Sequence, residues 1–104
     1  MDREEQIERI VGMEARLDAA ASAIEGLDAA LGRYVAARAQ IEELSSWYGS
    51  DAWRKDFDDD AAGELPVDPK RGVLSEDAVY DLLTADRELL ARMMEIARGA
   101  LEGK

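Results

Sequence analysis

The strongest constraint on what this chain can fold into is an apolar repeat at heptad spacing. Ile10, Leu17, Ile24 and Leu31 recur every seven residues, and Met13, Ala20, Leu27, Tyr34, Ile41 and Tyr48 repeat the same step three residues further on. Alternating steps of three and four put both series on one helical face, the a and d positions of a coiled-coil heptad. The pattern keeps one phase from about residue 2 to residue 47. It therefore predicts a single helix over 2–47, a rod of roughly 65 Å at a rise of about 1.5 Å per residue.

Gly12, Gly26 and Gly32 lie inside that helix, and each costs up to about 1 kcal/mol relative to alanine. All three fall at b or c positions, off the stripe. Glu25 to Asp28 offers an alternative, a turn in which Gly26 ends one helix and Asp28 caps the next, giving a three-helix bundle. The apolar phase passes through Gly26 without a slip, which favours the unbroken helix. Many alanines, few β-branched residues and 6% aromatics place the whole chain in the all-α class. At 104 residues it is expected to be one helical domain, 1–104, too small for a large internal pocket.

After the heptad helix comes the segment that holds both tryptophans, the only phenylalanine and both prolines. Ser50 can cap a short helix over 51–61, with Asp51 in its first turn and Gly63 at its end. Trp53 and Phe57 then lie one turn apart, and with Trp47 and Tyr48 they are expected to seal the end of the helical core. Pro66, Pro69 and Gly72 exclude regular helix from the following stretch, read as an extended loop over 63–74. A last helix over 76–101 has Ser75 as cap, Glu76 and Asp77 in its first turn, and Leu74 placed to staple onto Val79. Its inner stripe is read as Val79, Leu82, Leu83, Leu89, Leu90, Met93, Ile96, Ala97 and Ala100, running antiparallel to the first helix. Arg38 at an a position and Asp86 on the inner face of the last helix are expected to form a structural polar pair that sets register.

Twenty-four acids against thirteen bases give a net charge of -11, which repels nucleic acid, anionic lipid and phosphorylated substrates. The chain has no cysteine and no histidine, so thiolate chemistry, disulfides and the commonest general base and metal ligand are excluded. The N-terminal residues lack the regions of a signal peptide, and no uncharged apolar run reaches membrane-spanning length, so a cytoplasmic location is expected. Asp56, Asp58, Asp59 and Asp60 do not fit a calcium loop: a register from Asp58 puts Gly63 correctly sixth but Pro69 twelfth, where a glutamate is required. No spacing resembles a nucleophile, base and orienter set, so the chain is read as a non-enzyme with no cofactor and no metal. Lys70, Arg71, Gly72 and Ser75 form the one spot where basic side chains and a helix start could meet an anion or a partner. Pairing of Lys70 and Arg71 with the aspartates at 56–60 is the stronger reading.

Tyr48-Gly49-Ser50 with a following tryptophan, Leu65-Pro66, and above all the stretch KRGVLSED at 70–77 followed by VYDLL at 79–83 resemble a family of small acidic helical bacterial proteins known only as a domain of unknown function. The similarity covers nearly the whole chain. The resemblance implies that KRGVLSED is a family hallmark and the first place to look for a site, and it carries no activity or catalytic residue to transfer. The residues lead to a non-enzymatic protein–protein interaction or scaffold module, a homodimer through Ile7, Ile10, Met13 and Leu17 that also serves an unknown protein partner. The alternatives are a regulatory module holding an anionic ligand at Lys70, Arg71 and Ser75, and an acidic decoy of nucleic acid. Direct nucleic-acid and membrane binding are not expected.

Overall fold

The computed structural model describes residues 2–66, 71–75 and 77–103. Among them the order is α1 (Arg3–Trp47), α2 (Asp51–Ala61), a single 3₁₀ turn (Gly72–Leu74) and α3 (Ala78–Glu102), with no strand. The chain divides into two compact units, Met1–Arg38 and Ala39–Lys104, and α1 supplies the whole helix of the first.

A capping box starts α1. Glu5 N donates to Asp2 Oδ1 (2.8 Å) and Asp2 N to Glu5 Oε1 (3.4 Å), satisfying two backbone donors that the first turn leaves open. The helix then runs unbroken through Gly26 and Gly32, so the three-helix alternative with a turn at Gly26 falls away. A Cβ at either glycine would meet no atom within 4 Å.

The second unit begins with the end of α1. Gly49 takes φ +82°, in the left-handed region, and turns the chain so that Ser50 can cap α2. Ser50 Oγ accepts from Trp53 N (3.2 Å) and itself donates to Trp47 O (2.6 Å), tying the start of α2 to the last residue of α1. At the other end, Gly63 N donates to Asp60 O (3.1 Å) and Glu64 N to Asp59 O (2.9 Å). With Gly63 at φ +74°, these two bonds make a Schellman cap.

Two features depart from the sequence reading. The stretch read as an extended loop contains the 3₁₀ turn, in which Ser75 N donates to Gly72 O (3.1 Å) and Leu74 N to Arg71 O (2.9 Å). That turn contacts both α2 and α3 and carries Leu74, one of the two buried apolar side chains among the described residues; the other is Val79. After the turn Ser75 is extended (ψ 153°), and α3 starts at Ala78 rather than at 76, with Asp77 in the N-cap position. Ser75 still caps from outside, its Oγ accepting from Ala78 N (3.2 Å). Glu76, expected in the first turn, lies outside the described residues.

The inner stripe of α3 is narrower than expected. Val79 is buried and Leu83, Leu90 and Met93 are half-buried, whereas Leu82, Leu89, Ile96, Ala97 and Ala100 are exposed. Positions 79, 83, 86, 90 and 93 advance by alternating steps of four and three, so the less exposed face of α3 is itself a heptad seam, with Asp86 in it.

Candidate functional site

Two surfaces compete for the role of a site: the corner after α1 and the apolar stripe along it. At the corner the aromatics form a chain of contacts. The Tyr48 and Trp53 rings meet edge to face with centroids 5.2 Å apart, and Trp53 and Phe57, one turn apart on α2, lie at 5.3 Å with their planes tilted by 30°. Trp47 is held differently, its indole Nε1 donating to Asp56 Oδ2 (3.2 Å). All four side chains are half-buried. The Trp53 indole Nε1 is enclosed and meets no acceptor among the described residues.

The aspartates of α2 are drawn in separate directions. Asp56 accepts from Trp47, Asp59 accepts from Lys55 Nζ (3.0 Å), and Asp60 Oδ1 lies 2.6 Å from Arg71 Nε. The hydrogen bond to Asp59, followed by its negative charge, holds the Lys55 ammonium above the ordinary lysine pKa. Among the described residues no three carboxylates converge as a metal would require.

Arg71 does more than pair with Asp60, since its guanidinium also donates to Pro66 O. One side chain thereby ties the loop before it to the end of α2. Of the hallmark residues read as a possible anion site, then, Arg71 is engaged by a carboxylate and a carbonyl, and Ser75 by the start of α3. Gly72 opens the 3₁₀ turn, and Lys70 lies outside the described residues. Arg38, in the first unit, is half-buried; it donates to Tyr34 Oη (2.9 Å) and stacks 5.7 Å from the centre of the same ring. Asp86 belongs to the second unit, in the seam of α3.

The stripe of α1 offers the opposite picture, an apolar surface with little covering it. Ile7, Ile10, Met13, Leu17, Ile24 and Leu27 are between 52% and 68% exposed. The series extends past Leu17, where the sequence reading ended it. The reason is local: the first unit contains one helical segment, and a lone helix cannot bury its own apolar face. Sequence reasoning passed over the Asp2–Glu5 capping box, although the spacing of the two acids signals it. It also passed over Lys55–Asp59, an i,i+4 pair visible in the sequence.

The family described as Domain of unknown function (DUF4298) matches residues 10–96, and the chain belongs to it. That match takes in the heptad stripe from Ile10 onward, the aromatic corner and the KRGVLSED stretch, in agreement with the resemblance those residues imply. Neither a curated relative nor a solved structure matches the chain. No helix among the described residues is long and apolar enough to cross a membrane.

Proposed function

We propose that the chain is a non-enzymatic helical interaction module that associates with a second copy of itself through the N-terminal stripe of α1. The observation that carries this reading is the exposed run of Ile7, Ile10, Met13, Leu17, Ile24 and Leu27 on one helix face. Isolated exposed apolar residues are ordinary, but a contiguous series at heptad spacing marks a contact surface. Burying one such side chain is worth about 1.5–3 kcal/mol, and a symmetric pair of helices buries the stripe twice over. Acid–base chemistry at a histidine or cysteine is closed to this sequence, and at the corner Arg71 is engaged with Asp60 and Trp47 with Asp56.

Light scattering and sedimentation over a range of concentrations test the reading. The natural chain should form a dimer whose helicity falls on dilution, while a variant carrying both Ile10→Glu and Leu17→Glu should be monomeric at concentrations where the natural chain is not. A natural chain that stays monomeric at high concentration would overturn it.

A further inference from the structure

The charges flanking the stripe distinguish one way of pairing two copies from the others. With Ile10 at a and Met13 at d, the e positions are Ile7, Glu14, Ala21, Asp28 and Val35, and the g positions are Arg9, Arg16, Ala23, Ala30 and Ala37. Within α1 up to Ala37 every charged e residue is acidic and every charged g residue is basic; Asp2, one heptad before Arg9, precedes the helix. Arg9, Glu14, Arg16 and Asp28 all lie on the exposed surface of α1.

In a parallel two-stranded coil each g residue faces the e residue five positions on in the other copy. That sets Arg9 against the partner's Glu14, twice by symmetry. Arg16 faces the partner's Ala21 and needs no charge there; its guanidinium donates to Gly12 O of its own helix (3.0 Å). Ala23 faces the partner's Asp28, and no like charges meet. Antiparallel pairing instead sets g against g and e against e. Depending on register, it brings Arg9 to the partner's Arg16, Arg16 to its own counterpart, or Glu14 to the partner's Asp28, and other registers leave the charges unmatched. None that spans Ile10 to Leu27 gains an opposite pair. The core residues agree in part, since Ile10 and Ile24 at a and Leu27 at d suit a parallel dimer, whereas Leu17 and Leu31 at a do not discriminate.

We infer that the two copies associate parallel and in register over this stripe, each Arg9 paired with the partner's Glu14. The inference rests on the self-association proposed above and specifies its geometry. It also means that the stripe takes a second copy of this chain in preference to an unrelated helix with uniform flanking charge.

Because the chain has no cysteine, a single Gln6→Cys at the d position preceding Met13 gives an unambiguous probe. In the parallel arrangement the two thiols face each other and should join as a disulfide dimer in a glutathione buffer. In parallel with this, Arg9→Glu and Glu14→Arg should each weaken dimerisation about tenfold, and the double exchange should restore it. A dimer by sedimentation that fails to cross-link through Gln6→Cys, or charge exchanges whose effects simply add, would overturn the orientation and leave self-association standing. A monomeric natural chain would remove both. Circular dichroism of each variant separates lost association from lost helix.

Discussion

Glycine shows most plainly how one residue type serves opposite purposes in this chain. Gly26 lies in helical backbone with nothing within 4 Å of where a Cβ would sit, while Gly63 holds the left-handed conformation that closes the Schellman cap of α2. Replacing Gly26 by alanine should therefore stabilise by up to about 1 kcal/mol, through better helix propensity and a less flexible unfolded chain. Replacing Gly63 should destabilise by about 1 kcal/mol or more, because a Cβ is strained at positive φ. Chemical denaturation of the two variants should shift the midpoint in opposite directions; shifts of the same sign would contradict the assignment. Trp53 offers a similar contrast. Truncation to alanine removes the ring that links Tyr48 to Phe57 and should cost about 3 kcal/mol. Replacement by phenylalanine keeps an aromatic ring there and discards an enclosed indole N–H that has no acceptor among the described residues, so the loss should be clearly smaller.

At the scale of the elements, Arg71 ties the loop before it to the end of α2. Its ion pair with Asp60 is two-thirds screened from water on each side, and charge-assisted bonds of this kind contribute about 1 kcal/mol when partly exposed. Asp60→Asn should lower the melting temperature at low ionic strength, and the difference from the natural chain should shrink as salt is added. In the Lys55–Asp59 pair the lysine is exposed and the aspartate half-buried, and the sign of its effect is fixed by the raised lysine pKa. On the lysine side any stabilisation is present throughout the neutral range and is lost as the pH rises through that raised value, so no neutral-pH transition should trace to it.

These elements also mark where the sequence could be read and where it could not. The continuity of α1 was legible because periodicity is a long-range signal, summed over many turns, and outweighs a glycine at a b or c position. The bounds of α2 were legible from Ser50 and Gly63, whose capping chemistry is local. The 3₁₀ turn at Gly72–Leu74 was not legible, because a single turn has no period to detect, and the start of α3 was read two residues early, since Ser75 and Asp77 are both capping residues. That Arg71 would find a carboxylate of α2 was readable from charge, but not that it would be Asp60. Four aspartates in five positions are equivalent in composition, and only the path of the loop selects among them.

For the molecule as a whole, the distribution of charge decides how association responds to salt. The first unit carries eight acids and five bases, a net -3, whereas the second carries sixteen and eight, a net -8. The stripe therefore lies on the less repulsive part of the chain, but every dimer still brings together two chains of charge -11. Two electrostatic effects then oppose each other: the short-range attraction of Arg9 for the partner's Glu14, and the long-range repulsion of the two acidic chains. Raising the ionic strength from about 0.01 M to about 0.15 M shortens the Debye length from about 30 Å to about 8 Å. Over that range the long-range repulsion is largely removed, while two exposed pairs worth at most about 1 kcal/mol each weaken only in part. Self-association of the natural chain should accordingly strengthen with salt, and so should its apparent thermal stability, since the dimer is favoured by mass action. A chain acting as an acidic decoy behaves in the opposite sense, because binding to a basic partner weakens steeply as salt rises. Sedimentation of the chain alone across this salt series reads the first mode, and the same series with a basic partner added reads the second. A dimerisation constant that falls with salt would show that local ion pairs, rather than the apolar stripe, dominate the contact.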